Sequence, residues 1–165
     1  MMAAHRPGPS SFHPAKIIAT WFGAGLLPVM PGTWGSLAAL PFAWIIAWLF
    51  GAGALVLAAA ALFFVGWWAA TQVTRASGVE DAGSIVVDEV AGQWLTLVVT
   101  PPDLIAYALG FVLFRLFDIA KPWPAGWADQ ALGGGFGIMA DDVIAAFYAA
   151  TALLLILLAT GRPFG

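Results

Sequence analysis

Apolar runs broken by short polar or Pro/Gly-rich stretches make up most of this chain. Ile17 to Leu27 is a short run ended by Pro28. It falls short of the roughly 20 apolar residues that a crossing helix needs, so it is expected to lie at an interface or to re-enter. Beyond the turn "PVMPGTWGS" come two runs, Leu37 to Phe50 and Ala54 to Ala70, parted by "GAG". These predict a hairpin of two tilted helices rather than one very long helix. Pro41 allows a kink or a late helix start in the first of them. A polar connector, "TQVTRASGVEDAGS", leads to an apolar stretch from Ile85 to Val99 that stops at "TPPD", where Pro101 and Pro102 break a helix. Leu104 to Ile119 is the next helix and runs into "KPWPAGW". Gly133 to Gly135 then read as a loop, and a last helix is predicted from "ADDVIAAF" to about Thr160. No internal repeat is visible.

Composition decides what kind of bundle this is. Of the 165 residues, 62% are hydrophobic and 9% charged, whereas a soluble domain carries about 25% charged residues. The predicted fold is therefore all-α, an integral membrane bundle of about four to five short transmembrane or interfacial helices. Nine Trp fit a belt at the lipid–water boundary. Residues 1–15 are polar and Pro-rich and are read as a disordered tail, leaving 16–165 as a single helical membrane domain. His5 and His13 fall in that tail and receive no catalytic role. The absence of Cys excludes disulfides and thiolate metal sites. Six Lys and Arg at a net charge of −3 argue against a nucleic-acid partner.

Charge then sets the sides. If helices at about 36–50, 54–73, 87–100, 103–120 and 141–160 all cross, the face holding "PGTWGS" also receives the ends near Ala70 and Ile119. The other face holds only "GAG", "TPPD" and the C-terminal "GRPFG". Arg6, Lys16, Arg75, Arg115 and Lys121 then share the first side, which the excess of basic residues marks as cytoplasmic.

On this count five carboxylates meet at one boundary layer. Asp88 and Glu89 fall in the first turn of their helix, Asp141 and Asp142 in the first turn of the last helix, and Asp118 at the end of its own. Capping and helix-dipole compensation explain one acid at a helix start. They explain doubled acids at two starts less well, and ionisable groups at membrane depth are candidates for function. Two carboxylates 5 Å apart repel by about 3 kcal/mol at an effective dielectric near 20, so a cluster calls for cations. Hard carboxylate oxygens suit Mg²⁺, and the lack of His or Cys in this layer argues against zinc. In "FRLFDIAKPWP", Arg115, Asp118 and Lys121 are spaced by three and share a helix face. They read either as snorkelling cations with a local ion pair or as a phosphate clamp beside a metal ligand. Gly32, Thr33, Gly35 and Ser36 mark a helix start whose amides could receive an anion, or an ordinary turn and cap. No Ser or Cys lies beside a base. Metal-assisted attack by water is the economical chemistry, with an Asp nucleophile as the other route.

The stretches "ATWFGAGLLPVMPGTWGSLAALP", "DAGSIVVDEVAGQW", "FRLFDIAKPWP" and "GGGFGIMADDVIAA" together resemble the phosphatidylglycerophosphatase A family, magnesium-dependent membrane phosphatases of bacterial phospholipid synthesis. The resemblance implies removal of the terminal phosphate of phosphatidylglycerol phosphate in the bacterial inner membrane, by a multi-pass protein whose site faces the cytoplasm. It further implies metal or catalytic roles for Asp88, Glu89, Asp118, Asp141 and Asp142, with Mg²⁺ as cofactor. Arg115 and Lys121 would meet phosphate, with Thr33 and Ser36 as further substrate-binding candidates. Three rival functions fit less well. An acid-type lipid phosphatase needs a catalytic His, which this layer lacks. The spacing of a CDP-alcohol phosphotransferase, another metal-dependent lipid enzyme, is missing. A small cation transporter would place acids near mid-depth rather than at one boundary.

Overall fold

The computed structural model describes residues 13–79 and 82–161, with the side chains of Asp129 and Gln130 outside that description. The elements are α1 (Pro14–Ala19), a 3₁₀ turn (Ala24–Leu26), α2 (Pro31–Ser77), α3 (Val87–Leu97), α4 (Leu104–Ala120), α5 (Ala125–Ala131) and α6 (Gly134–Thr160). No strand occurs among the described residues. The fold is all-α, as the apolar pattern predicts. Residues 1–12 of the expected tail lie outside the described residues. His13 caps α1, its Nδ1 accepting from the Ala15 amide at 3.2 Å, and Ala15 is fully buried.

The 47 residues of α2 do not form a straight rod. Gly51 has φ 81° and ψ 174°, outside helical space and tolerated by glycine. A Cβ on Gly35 would lie 2.7 Å from Val86 Cβ, and one on Gly66 would lie 3.2 Å from Val87 Cγ1. Residues 35 and 66 would be about 46 Å apart in an unbroken helix, yet they touch neighbours in sequence. The helix therefore folds back at Gly51 into two legs, the hairpin that "GAG" announced. Pro31 occupies the first turn, where a missing N–H is harmless. The second leg continues through the polar "TQVTRAS" and ends at Gly78, whose N–H donates to Thr74 O at 2.9 Å.

The central element is α3, which packs against α2, α4 and α6. At 11 residues it is about 16 Å long, too short to cross a bilayer core, and the sequence reading to residue 100 overshoots it. Trp94 ties it to the first leg by donating from Nε1 to Ala39 O at 3.0 Å. Small residues dominate the contacts: Ala39, Ala43, Ala59, Ala69, Ala91 and Ala149 are fully buried. In lipid there is little apolar transfer energy between helices, so this close steric fit carries the association. Conversely, Trp48, Phe50, Leu57 and Phe64 point outward. Both α2 and α6 are long and apolar enough to cross a membrane, and only 11% and 28% of their most apolar windows are buried. The apolar surface faces away from the bundle, as it does in a membrane protein rather than in a soluble core.

A tight seam lies at Gly92, where α3 meets both α4 and α6. A Cβ there would sit 2.6 Å from Phe114 Cε2 and 3.0 Å from Asp142 O. Gly92→Ala is expected to force α3 away from α4 and α6 and to destabilise the protein by about 1–3 kcal/mol. Thermal unfolding in detergent measures this, and an unchanged midpoint would contradict so close an approach.

Candidate active site

The two legs of α2 put both of its ends, Pro31 and Ser77, at the same end of the bundle. Here α3 begins, α4 finishes and α6 begins, with the 82–86 connector and Leu132, just past the end of α5, closing the sides. A cavity of about 430 Å³ opens between them. All five predicted acids line it: Asp88, Glu89, Asp118, Asp141 and Asp142. Arg115 and Lys121 line it as well. Five carboxylates against two cations leave a formal −3 on these walls.

How the backbone delivers the acids differs in part from the sequence reading. Asp88 and Glu89 do lie in the first turn of α3, but the N-cap is Val86 and no side chain makes a cap bond. The last helix starts at Gly134 rather than near residue 141. Asp141 and Asp142 therefore stand two turns inside α6, beyond the reach of first-turn capping. The doubled acids at two helix starts become one pair at a start and one pair inside a helix. Asp103, outside the cluster, is the true cap: its Oδ1 accepts from the Ala106 amide at 2.8 Å and starts α4.

Within the cavity Asp88, Glu89 and Asp142 each bring one carboxylate oxygen within 4.8 Å of the others. At that distance each charged pair costs about 3 kcal/mol at an effective dielectric near 20. Asp88 Oδ1, Glu89 Oε2 and Asp142 Oδ2 are buried without a hydrogen-bond partner among the described residues. Asp142 is only 3% exposed. Buried, unpartnered and mutually repelling hard oxygens are the donor set that a divalent cation satisfies. The residues present therefore fit Mg²⁺.

The cations are tied to the remaining acids. Arg115 Nη1 donates to Asp118 Oδ2 in a short contact and lies 3.7 Å from Glu89 Oε1. It also lies 3.5 Å from Ser36 Oγ, which itself donates to Gly32 O at 3.0 Å. Lys121 Nζ donates to Asp141 Oδ2 at 2.7 Å. The local spacing suggested a pair between Lys121 and Asp118. Lys121 instead ends α4 in the left-handed region, at φ 42°, and reaches across to α6. Both cations face the cavity, so neither is merely a snorkelling anchor.

Thr33 and Ser36 are not among the residues that line the cavity. Ser36 sits behind Arg115 and positions it, and Thr33 Oγ1 is buried without a partner among the described residues. The helix start of α2 is also poorer in free amides than its small residues suggested. Pro31 has no N–H, and those of Thr33 and Trp34 donate to Met30 O at 3.0 and 3.3 Å. Sequence reasoning passed over Gly83, Ile85 and Ile138 on the cavity wall, as well as Gly133 and Gly134. The run of three glycines, which reads as a loop, is the signal in the sequence for this part of the wall.

A model of the family described as "Phosphatidylglycerophosphatase A" matches residues 17–157, a span that includes every acid of the cavity. The chain belongs to the phosphatidylglycerophosphatase A family. It is 42% identical over 146 residues to phosphatidylglycerophosphatase A of Escherichia coli strain K12, covering 87% of this chain and 84% of the relative. The relative of the same name from Haemophilus influenzae is 42% identical over 141 residues, covering 85% and 86%. A Bacteroides thetaiotaomicron protein, provisionally named a phosphatidylinositol-3-phosphatase, is 40% identical over 146 residues, covering 84% and 89%. No solved structure matches the chain.

Proposed function

We propose that this protein is a Mg²⁺-dependent phosphatidylglycerophosphate phosphatase of the bacterial inner membrane, working at the cytoplasmic face. The observation that carries the reading is the single cavity in which five carboxylates and two cations meet at one end of an apolar bundle. A lipid whose head carries a terminal phosphate monoester presents its anion at such a boundary. The far halves of the helices lack the acids that an ion path would need, which disfavours the transporter reading.

In this reading Asp88, Glu89 and Asp142 would hold Mg²⁺, which supplies charge stabilisation of the phosphoryl oxygens and a more acidic bound water. Arg115 offers a planar fork to the phosphate, held in place by Asp118 and Ser36. Lys121 supplies a second positive charge, and Asp141 fixes its position. No Ser, Thr, Cys or His lines the cavity among the described residues, which leaves water or one of the aspartates as the attacking group; in this reading it is water. It adds to phosphorus as the P–O bond to glycerol breaks. The products are inorganic phosphate and phosphatidylglycerol, the glycerol oxygen taking up a proton.

Purified protein in mixed micelles is expected to release phosphate from phosphatidylglycerol phosphate, leaving phosphatidylglycerol as the lipid product. The assay should include phosphatidylinositol 3-phosphate because of the name that one relative carries. No release from the first lipid, or faster release from the second, would overturn the substrate assignment.

Orientation has its own test. Trp123 is 80% exposed beside the cavity end, and the chain has no Cys to confuse labelling. Trp123→Cys is expected to react with a membrane-impermeant maleimide in inverted vesicles and not in intact spheroplasts. The reverse pattern would place the cavity on the outer face.

A further inference from the structure

We infer that the groove between the first leg of α2 and α4 seats an acyl chain of the lipid substrate, an assignment that rests on the proposed phosphatase reading. The groove encloses about 460 Å³ and is walled by Leu40, Pro41, Trp44 and Ile45 on one side and Tyr107 and Ala108 on the other. No charged residue lines it. Pro41 contributes a ring and no N–H to the rim, so the wall presents no stray donor there.

Its position relative to the cavity identifies the occupant. The two helices run antiparallel along one seam. At the cavity end Arg115 Nη1 lies 3.5 Å from Ser36 Oγ. Eight residues further along each helix, the Trp44 and Tyr107 rings stand 5.0 Å apart by centroid. Eight helical residues span about 12 Å. The head of phosphatidylglycerol phosphate, two phosphates and two glycerols in series, covers a comparable length. With its terminal phosphate at Arg115, the same molecule brings its ester-linked chains to the groove. The mouth opens sideways past Ile45 and Leu104, which are 52% and 77% exposed. Lipid tails lie on that side of a membrane-embedded bundle. The groove thus shares its seam with the phosphate-facing arginine, and one lipid can occupy both.

The test fills the groove from either wall. Ala108→Trp and Ile45→Trp both start from exposed positions. The readout is kcat/KM for the dioleoyl substrate divided by kcat/KM for the deacylated, water-soluble head, glycerophosphoglycerol phosphate. Displacing a few methylenes is expected to lower this ratio by about tenfold in each variant. An unchanged ratio in both variants would mean that only bulk bilayer lipid covers the groove and would overturn the assignment. A parallel fall of both rates would overturn it too, since filling the groove would then disturb the bundle and not the tail. Wild-type protein inert on both substrates would instead remove the phosphatase reading, and the groove's role with it.

Discussion

Asp142→Asn is expected to lower phosphate release by about 10²–10³-fold, the scale typical of losing one preorganised electrostatic contact in a catalytic site. The substitution keeps the shape of the side chain and deletes its charge. One of the three oxygens gathered within 4.8 Å then becomes a poor metal ligand. Folding should not suffer. Removing a buried charge from among like charges relieves repulsion of about 3 kcal/mol per close pair. The thermal midpoint of the metal-free variant is therefore expected to equal or exceed that of metal-free wild type. Asp88→Asn should behave in the same way. Asp103→Asn is the contrast, because Asp103 caps α4 far from the cavity and Asn caps a helix nearly as well. Its activity should stay near wild type. Turnover by Asp142→Asn within a factor of two of wild type would return the carboxylate to a structural role.

Chelation is expected to have an effect of similar size. Excess EDTA should stop phosphate release, and added Mg²⁺ should restore it where Na⁺ does not. A second readout needs no substrate. A cation that binds only the folded cluster stabilises the protein by about 2.7 kcal/mol at one hundred times its dissociation constant. Mg²⁺ should therefore raise the thermal midpoint of wild-type protein, and Asp142→Asn should lose most of that rise. Release that continues unchanged in EDTA would refute the metal.

The acids were legible because the chain is so apolar. Against a background of 9% charged residues, two adjacent pairs inside oily stretches have few structural uses. Their convergence was expected from five crossings; α3 is too short to be one of them, but the reversal at Gly51 still brings both ends of α2 to the same end of the bundle as the acids. The start of α6 was not legible. "GGGFG" has poor helix propensity and reads as a loop, yet tertiary contact overrides it. A Cβ on Gly135 would lie 2.6 Å from the Thr71 amide nitrogen, so glycine lets α6 press against the second leg of α2 and continue upstream as helix. Nor could spacing reveal that Lys121 pairs with Asp141, because that choice depends on the left-handed residue that ends α4. The short α5 was hidden by the Pro and Gly around it. Ser36 lies in the expected neighbourhood, its hydroxyl 3.5 Å from Arg115 Nη1 and outside the cavity lining.

The reversal at Gly51 bears on how such a chain enters a bilayer during synthesis. The tip that a descending hairpin must push to the opposite side is "WLFGAG", which contains no ionised group. Both legs can partition together as one preformed unit, with their polar feet left behind on the side of entry. No salt-bridged or hydrated loop has to be dragged through hydrocarbon.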